Sequence, residues 1–524
     1  MKHNESSAVS HQERGYTTGP TVIPSSISAR ATLPKALGEQ RFEIAVFAVL
    51  LLTLLVALLV AKDLPMVDLP QHAAQLTIWL HANNPIFHAD KFVINYRTPY
   101  WLSYLIVGAL ERSFGLTIAL KLTIWLSIVG QVTALRWLCK RLGHDPWLGL
   151  LGLPLALGYN FLFGFLSYIV AAPLLLVAVA LGTAYRQKPT LRGGALLTLS
   201  LLLVLLAHGI TYAQALMCLG LLLLTGRGSL LVRQLPLAVS VFIGWLWLFL
   251  GAEHPTLGAD IWDATFERFR LLPGLLLGSG MGDSPATMVG LLLLILPVVA
   301  TRRPVRDISL ALPLLATLAG YGAFPAMFRG YGPLWPRFAW LVVPTLLLAF
   351  QPLDAESHVR RSLTRWGVFG VATGWLVLFG FRLRQFNTET APLHAVVATM
   401  SPNLRIRPIV FEPQCAAFPY LPALNHLPAY YSVSKGGFQG YSFAMYPSSP
   451  VRYRADILPM MAGGMEWAPE AFRVDFEASL YDCFLVHSVQ DRTFALFGGY
   501  TQAITLRAHV GNWWNYCWND AFRN

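Results

Sequence analysis

Along this chain, apolar runs long enough to cross a bilayer alternate with short polar segments. Between Glu43 and Ala61 the only polar residues are Glu43 itself and Thr53. FAVLLLTLLVALLVA, LSYIVAAPLLLVAVALG and TMVGLLLLILPVVA each have the apolarity a helix needs to cross roughly 30 Å of hydrocarbon with its backbone satisfied internally. A membrane β-barrel would alternate with period two instead. The pattern predicts an α-helical polytopic membrane protein.

Basic residues fall in short clusters between these runs: Arg136/Lys140/Arg141, Arg186/Lys188/Arg192, Arg227/Arg233, Arg302/Arg303/Arg306 and Arg360/Arg361/Arg365. Such clustering is the positive-inside signature and places those loops in the cytoplasm. The chain between them then forms apolar pairs at 146–185, 193–225, 235–300 and 307–352. Their outward turns are Tyr159–Gly164, His208/Gly209, and the loops 252–285 and 324–336. Residues 100–135 read as two short runs broken at Glu111-Arg112. Charge and hydropathy together predict about 11 to 12 transmembrane helices. The first external loop is 63–99, and the last span, Trp366–Phe381, delivers residues 382–524 to the outside.

Residues 382–524 change character: charge rises, apolar runs shorten, and turn signals such as KGG and PSSP appear. PLHAVVATM predicts a helix and RIRPIVF a strand. YDCFLVHS, TFALFGG and AITLRAHV predict strand, helix, strand. This is a small C-terminal α/β extracytoplasmic domain. Residues 1–41 are polar and Ser/Thr-rich, and read as a disordered cytoplasmic tail before an uncleaved signal anchor. Residues 42–381 form the transmembrane domain.

Composition narrows the picture further. Of 524 residues, 55% are hydrophobic and 13% charged, outside the range of a soluble globular protein. The net charge of +12 is spread over loops rather than gathered on one face, which excludes a nucleic-acid partner and leaves the lipid bilayer. The five cysteines show no metal spacing. Cys139 and Cys218 read as small apolar residues, and an exported location permits one disulfide among Cys415, Cys483 and Cys517.

The candidate chemistry starts at AKDLPMVDLPQHAAQL, residues 61–76. Pro65 and Pro70 halt the first helix and turn the chain along the membrane surface, holding Asp63 and Asp68 at the rim. QHAAQLTIWLHANN then suits an interfacial helix anchored by Trp79. A carboxylate at a dry rim is suited to general-base work, because desolvation raises its proton affinity; capping a helix is the plainer role. His72 falls within one helical turn of Asp68. FRGYGPLWPRF adds Arg329 and Arg337 to an outward loop, for anion binding or simply snorkelling. Arg268 and Arg270 have Asp260, Asp263 and Glu267 nearby and read as internal salt bridges. His208, at the end of LLLVLLA, lines a cavity or bonds a neighbour. Asn160, Ser167 and Tyr168 face a similar depth. In GNWWNYCW, buried strand aromatics are the plainer reading and sugar stacking the alternative.

This arrangement resembles the GT-C glycosyltransferases: an outward first helix, an acidic first external loop continuing as an interfacial helix, and an exported C-terminal domain. GYNFLFGFLSYIVAAPLLLVAVALG, AHGITY and PRFAWLVVPTLLL resemble segments of bacterial members of that group. The resemblance implies an inner-membrane enzyme with a polyprenyl-phosphate sugar donor and a periplasmic glycan, lipid or protein acceptor. It implies Asp68 as the base, with Asp63 and His72 as further catalytic candidates, and Arg337, Arg329 and His208 on the donor phosphate. Many members carry two adjacent acids at this place; here Asp68 is followed by Leu69. No cofactor is implied with certainty, though some members use a divalent cation, for which Asp68 with His72, or His81 with His88 and Asp90, would be the donors. A polysaccharide polymerase or ligase, a transporter of lipid-linked precursors and a non-catalytic scaffold are the alternatives.

Overall fold

A computed structural model of the protein describes residues 28–249, 260–263, 266–278, 280–328, 332–352, 358–519 and 521. The chain divides into two compact units, Met1–Val49 and Leu50–Asn524, with the division inside helix α1 (Ser28–Val60). The described part of the first unit is helical from Ser28. The stretch read as a disordered tail therefore lies partly outside the described residues and partly in α1, where Ala, Leu, Lys, Glu, Gln and Arg are all good helix formers.

The second unit continues through α2 (Leu69–Leu80), α3 (Trp101–Phe114) and α4 (Leu116–Leu142). Gly115, at φ +74°, separates α3 from α4, three residues beyond the break expected from the charged pair. Two short helices, α5 (Gly152–Ala156) and α6 (Tyr159–Leu162), precede α7 (Leu166–Gln187), α8 (Leu191–Ala207), α9 (Gly209–Leu222) and α10 (Leu230–Phe249). Then come α11 (Glu267–Leu276), α12 (Ser284–Thr301), α13 (Ile308–Ala323), α14 (Val342–Ala349) and α15 (His358–Thr399). Among the described residues, 6 helices are long and apolar enough to cross a membrane. Shorter apolar helical stretches lie at Pro146–Leu162, Leu191–Ala207, Gly209–Leu222, Ile308–Ala323 and Trp335–Ala349.

The arginine clusters staple the loops at one end of the helices. Arg186 pairs with Asp307, Arg365 with Asp145 at 2.8 Å, and Arg233 caps the carbonyls of Leu223 (2.9 Å) and Leu224 (2.7 Å). At the other end, Lys121 donates to the carbonyl of Ala61, just past the end of α1.

Helix α15 runs 42 residues without interruption, about 63 Å at 1.5 Å per residue, which is twice a bilayer core. The domain boundary expected at 381/382 falls inside it: hydropathy drops there, but helicity does not. Beyond α15 lies a five-stranded sheet ordered β5 (Phe438–Gln439), β4 (Arg405–Val410), β7 (Cys483–His487), β9 (Trp513–Trp518), β8 (Ile504–Val510). β4 is parallel to β5 and β7, and β9 is antiparallel to β7 and β8. Ile409, Phe484, Phe497, Ile504 and Tyr516 form its core. Cys483 faces Cys517 across β7 and β9 in a disulfide, while Cys415 stays reduced and buried.

The first external loop is woven into this region. Its strand β1 (Phe92–Ile94) pairs antiparallel with β6 (Val451–Tyr453), and Asn95 Nδ2 donates to the carbonyl of Pro447 at 2.9 Å. Helix α2, expected to lie at the interface, packs into the protein over most of its length. Gln71 and Gln75 are 2% and 1% exposed, and Gln75 donates to the carbonyl of Val451 at 3.1 Å, so α2 is buried against the C-terminal region.

Candidate functional site

After α1 ends, the chain crosses the rim and is held there by the turn that follows α6. Val67 N–H donates to Leu162 O at 3.0 Å, and Asp68 N–H to Phe163 O at 3.1 Å. Gly164, at φ +79°, permits this approach: a Cβ there would stand 2.5 Å from the Asp68 nitrogen. The FLFGF turn and the DLPQH turn thus position each other.

Asp68 occupies the N-cap position of α2, but its side chain caps nothing. Its Oδ1 instead accepts from His426 Nδ1 at 3.1 Å. The His426 side chain is 3% exposed, stacked on Tyr441 at 5.2 Å and edge-on to Phe443 at 5.8 Å, so the imidazole has little freedom. The other ring nitrogen, Nε2, is buried without a partner among the described residues. Asn425 Nδ2 and Glu466 Oε2 are buried in the same condition, and all three residues border one small enclosed cavity. Burial raises the Glu466 carboxyl above its ordinary value, outweighing its own backbone hydrogen bond and the pull of His426.

His72 lies one turn beyond Asp68, its N–H donating to Asp68 O at 3.1 Å. Tyr104 donates its hydroxyl proton to Gln75 Oε1 at 2.6 Å, so it accepts from His72 Nδ1 at 3.1 Å. Burial pushes the His72 imidazole down to about 4, against the opposing pull of Asp68, and the ring is neutral at pH 7.

Asp63 has different partners. Its Oδ2 accepts from Thr390 Oγ1 and His394 Nε2, both at 2.7 Å, and Asn387 brackets its backbone. These contacts tie the end of α1 to α15 and leave Asp63 enclosed, at 3% exposure.

Arg337 approaches from the other side of the FLFGF turn. Its guanidinium lies 3.9 Å from the ring centroid of Phe165, Nε donates to Pro333 O at 2.8 Å, and Nη1 sits 3.4 Å from His208 Nε2. His208 caps α9, its Nδ1 accepting from the Thr211 N–H at 3.3 Å, with Thr211 Oγ1 3.2 Å away. Tyr168 and Gln214 donate to the Arg337 carbonyl at 2.7 and 3.2 Å, and Trp340 donates to the Tyr168 hydroxyl at 2.6 Å. Arg337 is 8% exposed, and among the described residues no carboxylate lies within ion-pair distance of it. Phe163 holds Asp68 and Phe165 underlies Arg337, so the two groups flank a three-residue turn, within Coulombic reach of each other. Tyr159 senses both, and the neighbouring Asn160 Oδ1 is buried without a partner among the described residues.

The remaining candidates lie elsewhere. Arg329 is outside the described residues. Arg268 pairs with Asp263, and Arg270 with Glu267 at 2.7 Å. Ser167 bonds Ser103 at 2.7 Å. His81 faces Glu111 at 3.6 Å, His88 bonds Asn403, and Asp90 pairs with Lys91 at 3.3 Å, so the alternative cation donors do not converge. No group of three or more metal-ligating side chains is found among the described residues. His426 and Glu466 escaped the sequence reading. His426 is 358 positions from Asp68 in a segment without periodicity, and a histidine between Asn425 and Leu427 carries no local signal.

No protein-family model and no curated protein matches the sequence. Among solved structures, the chain is similar to ArnT from Cupriavidus metallidurans. The apo crystal structure superposes with a TM-score of 0.57 at 13% identity, covering 91% of this chain and 98% of that one. The crystal structure bound to undecaprenyl phosphate gives 0.53 at 11% identity, covering 90% and 97%. The likeness spans nearly all of both chains and establishes the fold shared with ArnT, a helical membrane architecture with a small C-terminal α/β region, as expected from the sequence.

Proposed function

We propose that this protein is an integral membrane glycosyltransferase that moves a sugar from a polyprenyl-phosphate donor to an extracytoplasmic glycan, lipid or protein acceptor. One observation carries the reading: a carboxylate held by an imidazole and a buried guanidinium without a carboxylate of its own flank the same turn. A buried, uncompensated arginine is costly by several kcal/mol, and an anionic ligand relieves that cost. The fold shared with ArnT, which has been crystallised with undecaprenyl phosphate, supports a lipid phosphate as that anion. The basic clusters at the opposite end support an orientation with the N-terminus in the cytoplasm and the C-terminal region in the periplasm.

In this reading the donor enters laterally from the bilayer and its phosphate is held by Arg337, with His208 behind it; Arg329, eight positions earlier in sequence, is a further candidate. The acceptor hydroxyl oxygen attacks the anomeric carbon, and its proton passes to Asp68, whose carboxylate His426 orients. The bond between the anomeric carbon and the phosphate oxygen breaks, and the electron pair leaves with the phosphate, met by the guanidinium. A single displacement inverts the anomeric configuration. Both charges act in a site of low dielectric, where preorganised groups are worth far more than in water. Asp63 serves as an anchor of the rim, and His72, neutral at pH 7, shapes the floor beside Asp68.

The test is acceptor-dependent release of lipid phosphate by purified protein offered a panel of polyprenyl-phosphate sugars, wild type against Asp68→Asn. Losing a general base lowers the rate by about 10²–10⁴-fold. Equal rates in both proteins remove Asp68 from the role. No release from any donor favours a scaffold or transporter.

A further inference from the structure

A second cavity, of about 520 Å³, opens on the C-terminal sheet, away from Arg337. Its position follows from the topology. β4 is followed by β5 on one side and β7 on the other, so the strand order reverses between β4 and β7. In open parallel sheets, ligands bind in the crevice beyond the carboxyl ends of the strands at such a switch point. Here Glu412 and Gln414 follow the end of β4, and His487 and Val489 lie at the end of β7; all line the cleft.

Its polar groups are set for a ligand. Trp513 and His487 are 1% and 5% exposed, and Trp513 Nε1 and His487 Nδ1 are both buried with no hydrogen-bond partner among the described residues. A buried polar group left unpaired is costly, and a ligand that pairs it removes that cost. Glu412 Oε2 stands 3.8 Å from His487 Nδ1, too far for a hydrogen bond. From α15, Glu389 is fixed by the amides of Ala416 (2.7 Å) and Ala417 (3.0 Å). Among the described residues no lysine or arginine lines the cleft; Arg492 pairs with Glu412 at 3.9 Å from outside it. Burial lowers the His487 imidazole to about 4, so it adds no positive charge at pH 7.

From this geometry we infer that the cleft is a saccharide-binding subsite, taking a neutral or amine-bearing sugar. With two carboxylates and no lysine or arginine on its described lining, the cleft disfavours phosphate and carboxylate ligands. The indole N–H, the neutral imidazole and the carboxamides of Gln414 and Asn512 supply both donors and acceptors for sugar hydroxyls. The volume falls within the range of small-molecule sites. Leu424 lines the cleft, and His426, two residues on, holds Asp68, so the subsite adjoins the loop that orients the base. Its assignment as the acceptor's seat rests on the glycosyl-transfer reading; saccharide binding itself does not.

The experiment is titration calorimetry on the full-length protein in detergent with glucosamine and N-acetylglucosamine, each as monosaccharide and β-linked disaccharide. Release of undecaprenyl phosphate from donor sugars is followed in parallel. Saturable binding is expected in the wild type and in Asp68→Asn, weakened at least tenfold in Trp513→Phe. Trp513 belongs to the sheet core, so Glu412→Gln, at a residue with a 36% exposed side chain, is the second variant and is expected to weaken binding as well. No saturable binding by the wild type, or undiminished wild-type affinity in both cleft variants, overturns the inference whatever the turnover. Binding without turnover in the wild type overturns the transfer reading alone.

Discussion

Replacing Gly164 by alanine tests how the site is positioned without touching any group that does chemistry. The new Cβ would lie 2.5 Å from the Asp68 nitrogen, 2.9 Å from the Leu69 nitrogen and 3.1 Å from the Asp68 Cα. All three are backbone atoms and cannot rotate away. Reaching an ordinary contact near 3.4 Å requires the Asp68 turn to retreat by about 0.9 Å. The φ of +79° adds roughly 1–2 kcal/mol of strain for a residue with a side chain, and loss of the Asp68 N–H bond to Phe163 adds about 1 kcal/mol. Displacing a catalytic group by about 1 Å is worth ~100-fold in rate. Gly164→Ala is therefore expected to lower release of lipid phosphate about a hundredfold while the protein still binds undecaprenyl phosphate through Arg337. Gly374→Ala, in α15 where a Cβ meets nothing within 4 Å, is the control and should match the wild type. Activity of Gly164→Ala within threefold of the wild type would refute the reasoning, because the turn could then move without moving the base.

Further outcomes follow from buried titratable groups and the disulfide. His72 is lowered from 6.5 to about 4, so the unfolded chain takes up a proton there before the folded one does; stability is present above pH 6.5 and lost as pH falls towards 4, by roughly 3 kcal/mol. Thermal melts of His72→Gln should show a shallower acid limb than the wild type, and an unchanged limb would contradict the burial of that ring. Glu466 has the opposite sign: its raised carboxyl favours the folded state at low pH and opposes it as pH rises, so Glu466→Gln should raise the melting temperature at pH 7 relative to the wild type and not at pH 4. Reducing the Cys483–Cys517 disulfide opens a 34-residue loop and should lower stability by about 2–4 kcal/mol in melts with and without reductant, with Cys415→Ala behaving like the wild type.

The legible parts of this molecule were those written in local periodicity. The long apolar runs became helices, and RIRPIVF, YDCFLVHS and AITLRAHV became β4, β7 and β8. The rim turn was readable because two prolines and a run of polar residues interrupt hydropathy at one place. What could not be read was long-range. The Asp68–His426 contact joins residues 358 apart, and no spacing rule spans that distance. Asp63 and Asp68 both read as catalytic candidates at the rim, yet α15 takes one and the C-terminal loop takes the other. Helix α2 read as interfacial from its apolar residues and Trp79; the long-range bonds of Gln71 and Gln75 to groups of the C-terminal region carry no local signal. Hydropathy falls at 381, where the membrane domain was expected to end; the continuation of α15 as a helix to Thr399 was not legible from that drop.

The most direct measurement is an experimental structure of this protein with undecaprenyl phosphate bound. The account predicts the phosphate against the Arg337 guanidinium, at charge-assisted hydrogen-bond distances of about 2.7–2.9 Å, with Asp68 facing it across the Phe163–Phe165 turn. A phosphate seated at the arginine-clustered end of the helices, or one that leaves Arg337 untouched, would contradict it.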